Sequence, residues 1–254
     1  MKSEINAIKT MFSDMKDKFS NYFNWDDVDI EYVRIDVKRG KINILSNNYN
    51  WVVTLCENDF GLTFKERITL GVKCWSDYPE FYKKMISKLY RDKIDICIKY
   101  GDVYEIFSIG YVNKLPIGSI MTLCTCKPII ADYAFIIWNK NKKTTFNIKI
   151  DTFINSGRSQ KDNVLVPSLL SIHGYMRFGD VRLTRKEIIT IKLLLSQYKL
   201  KEISAYHGCS LISEQKCIQR IKEKLGCSFT SASGLFHILK TKGITSAYLD
   251  ELIG

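Results

Sequence analysis

Five polar side chains between Gln215 and Lys222 have the types and the spacing to read a nucleic acid. Gln215, Lys216, Gln219, Arg220 and Lys222 lie off the apolar stripe that Ile218, Ile221 and Leu225 form at spacings of three and four. A glutamine amide can pair bidentately with an adenine edge, and a lysine ammonium can donate to guanine. A face rich in Lys and Gln is also what a merely solvated helix presents. The surrounding elements decide between these two readings.

No other set of side chains assembles into reactive chemistry. The sequence has no Gly-rich phosphate loop, no nucleophile elbow and no paired metal-ligand motif. Its eight cysteines are scattered without a Cys-x-x-Cys, and its three histidines do not cluster with them. The expectation is a non-enzyme with no catalytic residue, no metal and no cofactor. Cys124-Thr-Cys126 is better read as small hydrophobes than as a redox pair.

The segment around the five polar residues is built as a series of short helices. Thr184 and Glu187 have capping-box spacing, which starts a helix carrying Ile188, Ile191, Leu194 and Leu195. A second short helix carries Ile203, with Lys201 and Glu202 beside it, and Gly208 interrupts it. Ser210 is a suitable N-cap for the third helix, and Gly226 ends it. Ser231 or Ser233 starts a fourth helix with Leu235, Phe236, Ile238 and Leu239, closing at Gly243. Short helices with a glycine between the second and third suit a helix-turn-helix.

The blocks Leu183-Thr-Arg-Lys-Glu187, Lys201-Glu-Ile-Ser204 and Ser210 to Gly226 resemble the LuxR/GerE-type helix-turn-helix of bacterial transcription regulators. The resemblance covers Leu183 to Ile244. It implies an all-α four-helix domain that binds double-stranded DNA as a homodimer. It places Gln215, Lys216 and Gln219 against the bases, and Lys201, Arg220, Lys222 and Lys224 against phosphates. The chain departs from the pattern at four places. Lys199 stands where Ser or Thr is usual, His207 replaces an aliphatic residue, and Cys217 stands at a position often held by His. Ser213-Glu214 replaces Thr-Val, and a carboxylate at Glu214 is expected to repel DNA. These departures keep open a protein-interaction module with the same fold and weakened DNA contacts.

The charge distribution agrees with an anionic partner. The formal net charge is +11, and the stretch from Val181 onward holds 12 Lys/Arg against 6 Asp/Glu. The length of 254 residues suits two domains. The polar stretch from Ser156 to Asn163 reads as a linker, extended through Gly179. The expected layout is therefore 1–155, a linker over 156–180, and 181–254. With no signal peptide and no membrane-length apolar run, a cytoplasmic location is expected.

The first domain alternates hairpins and helices. Ile5, Ile8, Phe12, Met15 and Phe19 make an amphipathic helix. Asp29 to Lys38 alternates apolar and polar residues as a strand, turning at Arg39-Gly40 into Ile42 to Leu45. Helices are expected over Asn47–Glu57 and Tyr78–Leu89, and a hairpin over Ile94–Tyr100 and Val103–Tyr111. Ile117–Cys126 reads as a strand, and Pro128 opens a helix lined by Ile130, Tyr133 and Ile137. Thr144–Ile154 is open between helix and strand. This order suggests an α+β PAS-like or GAF-like antiparallel sheet with helices. The pattern Tyr32-Val-Arg34, Gly40, Leu45-Ser-Asn47, Trp51 resembles the N-terminal sensor module of LuxR-type regulators from intracellular gammaproteobacteria. Trp75, Asp77, Tyr78 and Tyr82 have the residue types of acyl-homoserine-lactone receptors but not their spacing. Tyr32, Trp51, Phe81, Tyr104 and Phe107 are the aromatics that could line a pocket for a small-molecule or protein ligand. Ordinary core packing is the competing reading for each.

Overall fold

The computed structural model describes residues 13–57, 64–86, 92–112, 120, 123–140, 145–147 and 174–253. By its internal contacts the chain divides into two units: Met1–Leu123 with Tyr133–Asp162, and Cys124–Asp132 with Asn163–Gly254.

The first unit is built on a sheet of short and long strands, all paired antiparallel. They are β1 (Val28–Asp36), β2 (Lys41–Ser46), β3 (Gly71–Cys74), β4 (Asp92–Tyr100), β5 (Val103–Tyr111) and β6 (Thr145–Asn147), in the order β3-β4-β5-β1-β2-β6. The two hairpins turn where expected, with Gly40 and Gly101 in the left-handed region at φ 60° and 61°. β1 pairs with β5 along its full length, from Val28 opposite Tyr111 to Asp36 opposite Val103. The helices are α1 (13–19), α2 (Tyr49–Glu57), α3 (Glu80–Ile86) and, of α4 (Lys127–Lys140), the residues from Tyr133 on.

β1 is not the half-exposed strand that its alternation suggests. Every residue from Ile30 to Ile35 is buried, as is every residue from Val103 to Gly110. Both faces of the sheet are covered. On one face Val33, Ile35, Ile42, Ile44, Tyr104 and Ile106 pack with Trp51, Leu55, Trp75, Tyr78 and Tyr82. On the other, Trp138 stacks on Tyr32 with ring centroids 5.7 Å apart, and its Nε1 donates to the Ile44 carbonyl at 3.2 Å. Phe19 of α1 meets Tyr133 edge-on at 5.5 Å.

Beneath Trp51 and Trp75 lies a buried ionic network that the sequence reading did not find. Arg67 is fully buried and donates to Asp95 at 2.8 Å, to Glu31 at 2.7 Å and to Ser108 at 2.7 Å. Lys93 donates to Glu31 at 2.9 Å, and its ammonium sits 3.7 Å from the centre of the Trp51 ring. Burial alone would raise the Glu31 carboxyl, but the Arg67 and Lys93 charges hold it down at about 2. Burial pulls Lys93 down to about 8, against the attraction of Glu31 and with the repulsion of Arg67.

Several element boundaries differ from expectation. Residues 123–125 are helical rather than part of a strand, and Leu123 and Cys126 are buried. The second expected helix begins at Glu80 rather than Tyr78, because Trp75–Asp77 forms its own 3-10 turn. Ile5, Ile8 and Phe12, and the linker stretch 156–163, lie outside the described residues. Met15 and Phe19 are buried as the amphipathic pattern requires.

The second unit departs from a purely helical domain. Residues 175–178, expected in the linker, form β7 (Tyr175–Phe178), which pairs with β8 (Val181–Thr184) around Gly179 at φ 59°. Then follow α5 (Arg185–Leu195), α6 (Leu200–Tyr206), α7 (Leu211–Lys224), α8 (Ala232–Thr241) and α9 (Ser246–Ile253). The unexpected α9 buries Leu249 and Leu252 and packs on α5, where Lys192 and Asp250 pair at 3.3 Å.

Candidate nucleic-acid interface

Caps fix the register of the helices in the second unit. Thr184 Oγ1 accepts from the Glu187 amide at 3.2 Å, and Glu187 Oε2 accepts from the Thr184 amide at 2.8 Å, which completes the capping box. The same Glu187 oxygen accepts from Lys224 Nζ at 2.6 Å, tying the end of α7 to the start of α5. At α6 only half of this arrangement exists. Glu202 accepts from the Lys199 amide at 2.6 Å, but a lysine side chain has no acceptor to return. Gly208, at φ 59°, makes the turn into α7. Ser210 Oγ then accepts from the Ser213 amide at 3.2 Å, capping α7 as expected.

The buried stripe of α7 is Glu214, Cys217, Ile221 and Leu225, whereas Ile218 is only half-buried. Glu214 is fully buried, so its expected role as a carboxylate facing DNA phosphates is corrected. Its Oε1 accepts from Thr190 Oγ1 of α5 at 2.7 Å, and its Oε2 accepts from Cys209 Sγ at 3.4 Å. Lys186 Nζ lies 3.8 Å from the carboxylate. A buried charge held by hydrogen bonds and a cation in this way is tolerated, and its place in the first turn of α7 suits the helix dipole.

His207 belongs to the same cluster. Its Nε2 lies 3.1 Å from Thr190 Oγ1. The hydroxyl has one proton, and the 2.7 Å contact directs that proton to Glu214. Thr190 must therefore accept from His207, which places the imidazole proton on Nε2. Partial burial lowers the His207 pKa, with Glu214 opposing and Lys186 assisting. A histidine in an aliphatic position thus becomes a hydrogen-bonded partner of the carboxylate that replaced valine. Spacing was the signal for this: Glu214, Cys217, Ile221 and Leu225 step by three, four and four, the same helical spacing as the three and four of Ile218, Ile221 and Leu225.

Opposite the stripe, Gln215, Lys216, Gln219 and Arg220 are exposed and share one side of α7 with Ile212 and Glu223. Gln219 Nε2 donates to Glu223 Oε1 at 3.2 Å. Lys201 and Arg220 are exposed and form no ion pair among the described residues. Lys222 and Lys224 are turned to intramolecular acceptors, the Thr230 carbonyl at 2.7 Å and Glu187.

The five aromatics read as a pocket lining do not come together. Trp51 and Tyr104 lie on one face of the sheet, Tyr32 and Phe107 on the other, and Phe81 is half exposed. Tyr32 pairs across β1 and β5 with Phe107, and the alternation of a strand puts Tyr104 on the opposite side. Burial raises the Cys126 thiol to about 12, which disfavours its thiolate. Among the described residues no cluster of His, Cys, Asp and Glu could hold a metal ion, and no helix is long and apolar enough to cross a membrane.

No protein-family model and no curated protein sequence matches the chain. Solved structures similar to it include two of Escherichia coli SdiA. One is a crystal form of the protein: 10% identity, TM-score 0.33, covering 93% of this chain and 91% of that one. The other is a complex with octanoyl-rac-glycerol: 10% identity, TM-score 0.31, covering 94% and 90%.

Proposed function

We propose that the chain is a LuxR-type transcription regulator whose second unit binds duplex DNA through α7. The observation that supports this is the two-sidedness of α7. One side is locked to α5 through Glu214 and Thr190, and the other presents two glutamines, a lysine and an arginine to solvent. Polar side chains of these types on an anchored helix suit major-groove base edges. Lys201 and Arg220, exposed on successive helices, suit the flanking phosphates. The first unit acts in this reading as a PAS-like regulatory module, supported by its antiparallel sheet with helices on both faces. Two half-sites one helical turn apart would be read by a homodimer.

The test is the binding of the full chain to duplex DNA across a salt series. Log affinity should fall linearly with log salt, by about 0.9 per phosphate neutralised. Absence of salt-dependent binding to any duplex would remove this reading. The alternative is a protein-interaction module of the same fold, which the exposed Tyr206 and Phe229 favour. It requires a partner protein captured at an affinity that duplex DNA does not compete.

A further inference from the structure

Ile212 is the one aliphatic side chain on the exposed row of α7 that carries Gln215, Lys216, Gln219 and Glu223. It lies in the first turn, is 65% exposed, and stands on the side opposite Ile221, which is fully buried. Ile212 precedes Gln215 by three residues, Lys216 by four and Gln219 by seven, which puts all four on one helical face. Among the described residues no packing role accounts for an isoleucine there, and a β-branched residue does not help the helix.

We propose that Ile212 determines specificity by contacting the C5-methyl group of thymine, so that the preferred half-site carries a T·A pair next to the adenine-reading glutamines. The proposal rests on the DNA-binding reading and deepens it. In the major groove the base edges offer hydrogen-bond donors and acceptors, and their one apolar group is the thymine methyl. Ile212 shares the exposed side of its own helix with Lys216, four residues on, and Arg220, eight residues on, so a partner that suits this side presents an apolar spot within an anionic surface. Thymine in duplex DNA meets both conditions. The N-terminal residues of a recognition helix are also those that reach base edges. Seven residues of α-helix span ~10 Å, so Ile212 and Gln219 can reach different base pairs of one half-site.

Deoxyuridine supplies the test, because it lacks only this methyl. The full chain is used to select a preferred duplex from a random-sequence pool. Each thymine of that duplex is then replaced in turn by deoxyuridine. Wild-type protein should lose about fourfold in affinity at one thymine of each half-site, the effect of one methyl-sized contact. The Ile212→Ala protein should bind the thymine and uracil duplexes equally, with an unchanged salt slope and unchanged thermal melting. Salt-dependent duplex binding in which wild type does not distinguish uracil from thymine would overturn the proposal while leaving DNA binding intact. So would an Ile212→Ala protein that still distinguishes them. Failure to select any duplex would overturn the DNA-binding reading itself, and this inference with it.

Discussion

Thr190 Oγ1 of α5 donates to Glu214 Oε1 of α7 across 2.7 Å, with the carboxylate fully buried. This contact joins the helix that presents the exposed polar row to the helix behind it. Removing one partner strands the other. Thr190→Val leaves a buried carboxylate short of a donor and should cost ~1–3 kcal/mol in denaturant unfolding. Glu214→Val removes the buried charge and leaves only a neutral hydroxyl short of an acceptor, so it should cost less. The double substitution should be less destabilising than the sum of the two, which a double-mutant cycle measures directly. Strict additivity would mean that the pair is not coupled.

His207 extends the same relationship toward solvent. Its folded pKa lies below the ordinary 6.5, so the unfolded chain takes up the proton first. The stability it contributes is therefore present above pH 6.5 and is lost as the pH falls through the folded value. Nitrogen-detected NMR near neutrality should find the imidazole proton on Nε2. An Nδ1–H tautomer would break the chain of donors that runs from His207 through Thr190 to Glu214.

In the first unit, Arg67 is the donor shared by Glu31, Asp95 and Ser108. Arg67→Met removes a buried cation, leaving Asp95 without a counter-charge and Glu31 with Lys93 alone, at a cost of ~3–5 kcal/mol. Arg67→Lys should recover only part of this, since an ammonium cannot hold both carboxylates in the same fork. Tolerance of Arg67→Met within ~1 kcal/mol would show the network to be dispensable.

Glu31 gives the network a pH signature. Its folded pKa of about 2 lies below the ordinary carboxyl value of 4.5. Its contribution is therefore complete above pH 4.5 and lost progressively as the pH falls toward 2. Acid titration followed by tryptophan fluorescence should report this, because Trp51 and Trp75 lie on Lys93, a partner of Glu31. Glu31→Gln should flatten that limb of the profile. A wild-type signal unchanged between pH 4.5 and 2 would contradict the assignment.

Much of this arrangement was legible in the sequence because it is local. The Thr184–Glu187 capping box, the Ser210 cap and the turns at Gly40, Gly101 and Gly208 depend on residues a few positions apart. The Arg67 network joins residues 28 to 62 positions apart, and nothing in a strand's own alternation says that Glu31 will meet Arg67 and Lys93. For the same reason the alternation of the strand does not reveal that both its faces are covered. The pocket reading failed on parity. Tyr32 and Tyr104 look equivalent as aromatics in strands, but the register puts them on opposite faces. Glu214 was misplaced because a charged residue is assumed to face water, although its helical spacing already set it on the buried stripe.

The carboxylate on the exposed row of α7 is Glu223, not Glu214, and it accepts from Gln219 at 3.2 Å. Two consequences follow if that row enters the major groove. Glu223 repels phosphate, and it holds the Gln219 amide away from a base edge. Glu223→Gln should therefore tighten binding to every duplex at low salt, with a gain that shrinks as salt screens the charge. It should also sharpen discrimination at the base pair that Gln219 reads. Gln219→Ala should cost ~1–3 kcal/mol at the preferred site and relax specificity there, while Lys201→Ala should weaken all sequences alike. Glu214→Gln, buried and remote from phosphate, should leave the salt slope unchanged. Binding measured for these four variants against preferred and scrambled duplexes separates the cases. Equal behaviour of Gln219→Ala and Lys201→Ala across sites, with no gain from Glu223→Gln, would show that this side of α7 does not read bases.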